Sequence, residues 1–371
     1  MRHDAIRQTD TTMEWSVLHT NPKRKRGTCN RPRSRLGFGH EIPRTYLVCC
    51  VTVALLVPLE VRGQDDVVHR RNGIVSRGKI LAYDQSGIRL RLETGRETQI
   101  PSEQIDRVEV KLTPEQEEGD ALFGQKRYRA AAEKLEKALE LETRPWLRTR
   151  IASKLIACFV AAGDPVGAIE AFFAAARTAG AQLSLAVVPT WWLPEPPGGA
   201  VNQYASSLMH SSNPLHQVIG ASFLYGTDES ATARETLARL TTYRDESVGQ
   251  LARTQLWRWE GEKTNLEAIT AWQQQATKLP ADARGGPFFA IGLALRRLGH
   301  HDEAALAFLW PALVYRTDPK LSAHALLYAA ECLEQAGQRP EAKQLYEEVL
   351  ARYSPGTEAN AAQQRLDRLK E

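Results

Sequence analysis

From Asp66 onward, apolar and polar residues alternate with a period of two through five short runs: DVVHRR, IVSRGKILAYD, GIRLRLE, RETQIP and IDRVEV. Asn72-Gly73, Gln85-Ser86-Gly87, Thr94-Gly95 and Ser102-Glu103-Gln104 separate them. Asn-Gly and Thr-Gly between alternating runs are hairpin signals, because those turns need positive φ. Five short strands over residues 66–111 predict a small, strongly curled β-barrel. Beyond residue 111 the period changes. Thr113-Pro114-Glu115-Gln116 reads as a helix start, with Thr as N-cap, Pro in the first turn and Gln placed to close a capping box. Further amphipathic helices are predicted over residues 217–225, 231–241, 248–259 and 265–279. The stretch 188–199, VPTWWLPEPPGG, holds four prolines and two glycines and cannot be helical. Its indoles, Trp191 and Trp192, have two readings: contact with a ligand or membrane, or packing over a gap between helices. The closing TEANAAQQRLDRLK is apolar at helical spacing and otherwise polar, as a terminal capping helix should be.

The helical portion resembles itself. Residues 118–141, EGDALFGQKRYRAAAEKLEKALEL, resemble the tetratricopeptide repeat, with Gly119, Leu122, Tyr128, Ala131, Leu135 and Ala138 on that family's signature positions. Small residues there let two antiparallel helices approach, while large ones fill the groove between neighbouring pairs. A second unit follows with Leu155, Phe159, Gly163, Asp164, Ala168, Phe172 and Ala175. A third has Gly292, Leu295, Gly299, Ala304 and Phe308, and a last one has Leu333, Gly337, Ala342, Tyr346 and Pro355. The family period is about 34 residues, so the linkers here are slightly long. Between Ala168 and Ala304 the signature is not legible, and degenerate helix pairs are expected to continue the stack.

The β segment is similar in type to the SH3-like barrel. Gly73, Gly78, Ile80 and Asp84 also resemble the first motif of the Sm-like fold, but Gly87 and Ile88 stand where that family reads RNA, and its second motif is missing. A capping or docking role is therefore expected of this module. The resulting fold class is mostly α: a solenoid of tetratricopeptide-like helix pairs preceded by a five-stranded β-barrel. The expected domains are a basic extension or over-extended start (1–43), a signal peptide or N-terminal anchor (44–63) and the β module (66–111). Tetratricopeptide repeats (112–180), a degenerate region with the Pro/Trp loop (181–280) and C-terminal repeats with a capping helix (281–371) complete the chain.

The family resemblance implies a peptide-binding groove lined by the first helix of each pair. Carried onto this chain, the groove positions are Gln116, Asp120 and Phe123, then Phe289, Leu293, Arg296 and Arg297, then Leu327, Glu331, Glu334 and Gln335. The Lys/Asn set that clamps a C-terminal carboxylate in some family members is missing. A groove of mixed charge with apolar spots suits a protein segment. Equally, these residues can serve only to contact neighbouring helices.

Composition refines the location. The chain of 371 residues carries 48 Lys+Arg and 44 Asp+Glu. Residues 1–63 hold 11 and 5 of these, so the remainder holds 37 and 39 and is slightly acidic. Such a body has no global attraction for nucleic acid. Residues 46–59, YLVCCVTVALLVPL, follow Arg44 and are shorter than the roughly 20 residues of a spanning helix. With Val61 and Gly63 they match a secretory signal cleaved before Gln64. An uncleaved anchor and a buried strand are the alternatives. NPKRKRG at residues 21–27 has the pattern of a nuclear-import or nucleic-acid-binding run, but in an exported chain it reads as an over-extended start or a disordered basic leader. The ending YSPGTEANAAQQRL resembles periplasmic envelope-assembly and Tol–Pal-associated repeat domains, so export to the periplasm or cell envelope is expected.

No HExxH, GxSxG or Cys/His ligand spacing is present. The GxxxxGK of Gly73–Lys79 is followed by Ile80 and a strand, which no phosphate loop tolerates. His300-His301 sits in a turn, and His210 and His216 flank a Ser-rich loop without a carboxylate. Cys158 and Cys332 lie in apolar helical stretches and read as core residues, a disulfide between them being the alternative. No enzyme activity, cofactor or metal is expected. The expected function is a scaffold that binds protein partners and not nucleic acid, touching the membrane only through an uncleaved N-terminal segment. The alternative is a cell-wall or polysaccharide-binding protein that uses the β module with Trp191 and Trp192.

Overall fold

The structure is a computed structural model that describes residues 66–84, 86–179, 185–261, 263–316 and 318–369. The extension 1–43 and the apolar segment 44–63 lie outside the described residues. The described residues fall into two compact units, divided between Lys111 and Leu112.

In the first unit, β1 (Asp66–Arg70), β2 (Val75–Asp84), β3 (Gly87–Leu92), β4 (Glu97–Pro101) and β5 (Ile105–Glu109) form one antiparallel sheet in the order β4-β3-β2-β1-β5. The expected barrel is corrected here: the sheet does not close, and β4 and β5 are its two edges. The physical reason lies in the pairing. The ten-residue β2 pairs with β1 through its first half and with β3 through its second, and the two registers meet at Gly78. A Cβ at Gly78 would lie 2.1 Å from the Arg91 carbonyl oxygen, so only glycine permits this corner. β4 and β5, of five residues each, are joined by a 3₁₀ turn at Ser102–Gln104 and each pair with one neighbour. Alternation places Val68, Ile80, Ile88, Leu90, Ile100 and Ile105 on one buried face. Burying each such side chain contributes about 1.5–3 kcal/mol. Lys79 stands in strand β2, so the GxxxxGK match runs from a hairpin turn into a strand.

The second unit holds fourteen α-helices among the described residues. The first two pairs are α1 (Pro114–Gly124) with α2 (Tyr128–Leu141) and α3 (Pro145–Ala161) with α4 (Pro165–Ala179). Next come α5 (Gly199–Met209), α6 (Pro214–Phe223), α7 (Ser230–Leu240), α8 (Glu246–Glu260) and α9 (Leu266–Ala276). Then follow α10 (Gly285–Arg297), α11 (His301–Leu309), α12 (Pro319–Gln335), α13 (Arg339–Tyr353) and α14 (Thr357–Arg368). The helices expected from 217, 231, 248 and 265 onward correspond to α6 to α9, and of the stretch 188–199, expected to be non-helical, only Gly199 is helical, as the first residue of α5. The helix α5 was not anticipated, because Gly198-Gly199 and the serines after it carry no helix-start signal. Its Ala205, Leu208 and Met209 are buried, so packing supplies what propensity does not.

Four helix pairs share one local grammar. Gly119, Ile156, Gly292 and Ala330 sit on the first helix; sixteen residues later come Leu135, Phe172, Phe308 and Tyr346, all buried. A Cβ at Gly119 would meet Leu135 at 2.9 Å, and one at Gly292 would meet Phe308 at 2.7 Å. Seven residues after the first position the chain turns through positive φ: 71° at Gly163, 81° at Gly299 and 81° at Gly337. In the first pair Lys126 takes that place at φ 61°. A side chain in this region costs on the order of 1 kcal/mol. The capping helix α14 packs on α12 and α13, and α12 also touches α3, so the stack curls back on itself.

Cys158 and Cys332 are free and buried in separate helices, and burial pushes each thiol up to about 11. Between α12 and α14, His324 Nδ1 lies 2.8 Å from Glu358 Oε1. That close approach of His324, opposed by burial, holds the Glu358 carboxyl below its ordinary 4.5.

Two expectations follow for stability. Lys126→Gly should stabilise the protein by about 1 kcal/mol while Gly337→Ala destabilises it by a similar amount. Urea midpoints moving in the same direction would refute the shared turn. The Glu358 contribution is present above pH 4.5 and is lost as pH falls through the lower folded-state value. Glu358→Gln should therefore flatten the acid limb of a melting-temperature profile below pH 5, and an unchanged limb would refute it.

Candidate binding site on the inner face of the helical stack

The curl of the stack brings distant helices around one space. Phe123 of α1, Ile156 and Val160 of α3, Leu251 of α8 and Leu321 of α12 line a cavity of about 310 Å³. The loop 185–192 forms another wall, with Val188 and Trp192 facing the same space. Asp282, Arg316 and Asp318 also line it. Asp318 is the N-cap of α12 and accepts hydrogen bonds through Oδ1 from the amides of Lys320 (2.8 Å) and Leu321 (3.1 Å). Burial holds its carboxyl above the ordinary range, against the opposing effect of those amides.

One side chain holds the Pro/Trp loop in place. Arg258, near the end of α8, is 3% exposed. Its Nη1 donates to the carbonyl oxygens of Trp191 (2.8 Å) and Ser222 (2.7 Å) and to Gln255 Oε1 (3.1 Å), while Nη2 donates to the Leu193 carbonyl (2.7 Å). The guanidinium lies 4.4 Å from the Tyr225 ring centroid and 5.6 Å from that of Trp259. These groups compensate a buried cation with dipoles and π-faces instead of a carboxylate. Burial lowers its pKa to about 9, so it remains charged at neutral pH.

The loop's side chains are equally engaged. Trp191 stacks on Phe223 at 5.6 Å, its Nε1 donates to the Glu195 carbonyl at 2.8 Å and its amide donates to Ser222 Oγ at 3.0 Å. Trp192 lies flat over Gly286, where a Cβ would fall 1.9 Å from the indole. Leu193 enters the core. Both indoles are half-buried against protein, so of the two readings of this loop the packing one describes the geometry.

The groove positions inferred from the repeat separate into three groups. Gln116, Phe289 and Leu327 are buried, which corrects their placement on an open surface. Phe289 is enclosed by Phe308 (5.3 Å) and Tyr328 (5.9 Å). The second group is charge-paired between neighbouring repeats. Asp120 binds Lys154 Nζ at 2.7 Å, and Arg296 binds Glu331 at 2.8 Å while its guanidinium lies 4.7 Å from the Tyr328 ring centroid. Arg365 of α14 reaches Glu331 (3.3 Å) and Glu334 (3.7 Å), and the Tyr346 hydroxyl donates to Glu334 at 2.7 Å. Phe123 and Leu293 are half-buried, and Arg297 and Gln335 are exposed. Phe123 lines the cavity, whereas Arg297 Nη2 lies 3.5 Å from the Tyr225 hydroxyl. The buried and paired residues face the adjoining repeat because the stack is curled, an arrangement that a single repeat's helical wheel does not contain.

Sequence reasoning missed Arg258. The one available signal was an arginine between two tryptophans in LWRWE, on a helix with an apolar face. Of those tryptophans, Trp257 is in the core, stacked on Trp272 at 5.2 Å, and half-buried Trp259 donates to Ser230 Oγ at 3.0 Å. His216 stacks on Phe173 at 4.0 Å, and burial lowers its pKa. Among the described residues, no group of three or more His, Cys, Asp or Glu is arranged to hold a metal ion.

The tetratricopeptide repeat family model matches residues 324–355, which are most of α12 and the whole of α13. This is the last of the four units recognised by pattern. A search of the curated proteins returns no match to the chain.

Removing the Arg258 fork would leave buried carbonyls unsatisfied. Arg258→Met should destabilise the second unit by about 3–5 kcal/mol. It should also expose the loop to chymotryptic cleavage after Trp191 or Trp192. Arg258→Lys should fall between, because an ammonium cannot reproduce the planar fork. Wild-type melting and proteolysis in the methionine variant would remove Arg258 from this role.

Proposed function

We propose that this protein is an exported, non-catalytic scaffold that binds protein partners on the inner face of its helical stack. Tetratricopeptide repeats serve generally as protein-interaction modules, and the match over α12 and α13 supports that class. The observation that carries the reading is the cavity built by helices from separate pairs. It is preorganised, since Arg258 and Gly286 hold its loop wall in place before any partner arrives. The export reading rests on the apolar run 46–59 behind Arg44 and on the small residues at Val61 and Gly63. Among the described residues, no helix is long and apolar enough to cross a membrane.

The test is capture from native envelope extract with the full chain, beside Phe123→Glu and Arg297→Glu variants. Phe123→Glu should lose a partner that the native chain retains, at unchanged helicity, and N-terminal sequencing of the mature protein should begin at Gln64. Equal retention by all three would move binding off the inner face. A mature protein confined to the cytoplasm would refute export.

A further inference from the structure

We infer that the solvent-facing side of the five-stranded sheet docks on the anionic headgroups of a lipid bilayer. This goes beyond the scaffold reading: it gives the β unit a partner of its own and a membrane contact separate from the apolar run 46–59.

Residues 66–111 hold nine Lys+Arg and seven Asp+Glu, although the chain from residue 64 onward is slightly acidic. The sheet sorts those charges by face. On β2, buried Ser76, Gly78 and Ile80 alternate with exposed Val75, Arg77 and Lys79. On β3, buried Ile88 and Leu90 alternate with exposed Arg89 and Arg91. The register sets Lys79 directly opposite Arg91. Opposed residues lie about 5 Å apart at Cβ and next-but-one residues of a strand about 7 Å, so these four cations form one patch. The carboxylates on this face are already matched: Glu97 pairs with Arg91 at 2.8 Å and Glu109 with Arg107 at 3.0 Å. Among the described residues, Arg77, Lys79 and Arg89 have no carboxylate partner. Like charges opposed across strands destabilise a sheet, and an external anion relieves that repulsion.

The apolar end of the patch selects a bilayer as the source of that anion. Ile74 and Val75, beside the Asn72-Gly73 turn, are 51% and 48% exposed, and Val75 shares the face of Arg77 and Lys79. Aliphatic side chains bordered by cations match a membrane surface, where the former enter the acyl boundary and the latter stay with the headgroup phosphates. Single-stranded nucleic acid calls instead for aromatic side chains on which bases stack. The one Phe, Trp or Tyr of residues 66–111 is Tyr83, whose hydroxyl is buried. In the sequence, six residues separate Leu59, the end of the apolar run, from Asp66. Fully extended they reach about 25 Å, which keeps the sheet close to any bilayer that holds the run.

Co-sedimentation of the full chain tests this with vesicles of phosphatidylcholine alone and of phosphatidylcholine mixed with phosphatidylglycerol. Lys79→Gln combined with Arg89→Gln should weaken binding to the mixed vesicles at least tenfold, since each cation at such a surface is worth about fivefold. Binding to the neutral vesicles should not change. Arg129→Gln combined with Lys278→Gln removes the same charge from exposed positions of the second unit and should bind like the native chain. The basic leader is common to every variant, so differences between them report on the sheet. Ile74→Ser should weaken binding to the mixed vesicles several-fold without changing its salt dependence, and Lys79→Arg should bind like the native chain. A melting temperature at or above the native value would show that the sheet variant folds, because it relieves opposed like charge. Equal binding by the native chain and the sheet variant, an equal loss in the control, or unchanged binding with Ile74→Ser overturns the inference. Single-stranded RNA held more tightly than the mixed vesicles, and lost in the sheet variant, overturns it in favour of nucleic acid.

Discussion

A single buried guanidinium organises the inner face of this protein. Arg258 stands on α8 and donates to three carbonyl oxygens, those of Trp191, Leu193 and Ser222. Two of these belong to the Pro/Trp loop, which has no helical or strand hydrogen bonds of its own. Every buried carbonyl needs a donor, and a proline-rich segment inside a helical stack is short of them. The planar fork supplies several donors from one side chain, where lysine would offer a compact charge. Desolvation is the cost, visible in the lowered pKa of the group, and the Tyr225 and Trp259 rings offset part of it.

The rest of the site depends on that placement. With the backbone held at Trp191 and Leu193, the Trp192 indole between them is set over Gly286 and closes one side of the cavity. A straight repeat array presents a long open groove. Here the loop takes up part of that space, α12 meets α3, and the remaining space is a pocket. The charged residues expected to line the groove are spent elsewhere. Arg296, Glu331, Arg365, Glu334 and Tyr346 form a network that ties α10, α12, α13 and α14 together. Half-buried ion pairs of this kind contribute less to net stability than to holding adjacent repeats in one register.

Much of the fold was legible in the sequence. Strand alternation marked all five strands, and Gly78 stands where two of their registers meet. Gly119 and Leu135, and Gly292 and Phe308, were marked as signature positions, but that a small residue meets a large one sixteen positions on, as Ala330 and Tyr346 also stand, came from the structure. The Pro/Trp break was legible as a loop from composition alone. The helix α5 was not, since its start lacks a cap and its helicity comes from burial.

What the sequence determined by itself is therefore most of the local elements, α5 excepted, and the turns between many of them. Periods of two and 3.6, caps and turn glycines act within a few residues, so a linear reading contains them. Tertiary structure decided the open sheet, the burial of Phe289, the pairing of Arg296 with Glu331, and the clamp of Arg258 on a loop more than sixty residues away. These depend on how far the stack curls, which sums small packing angles over many helices, and no window of the sequence carries that sum.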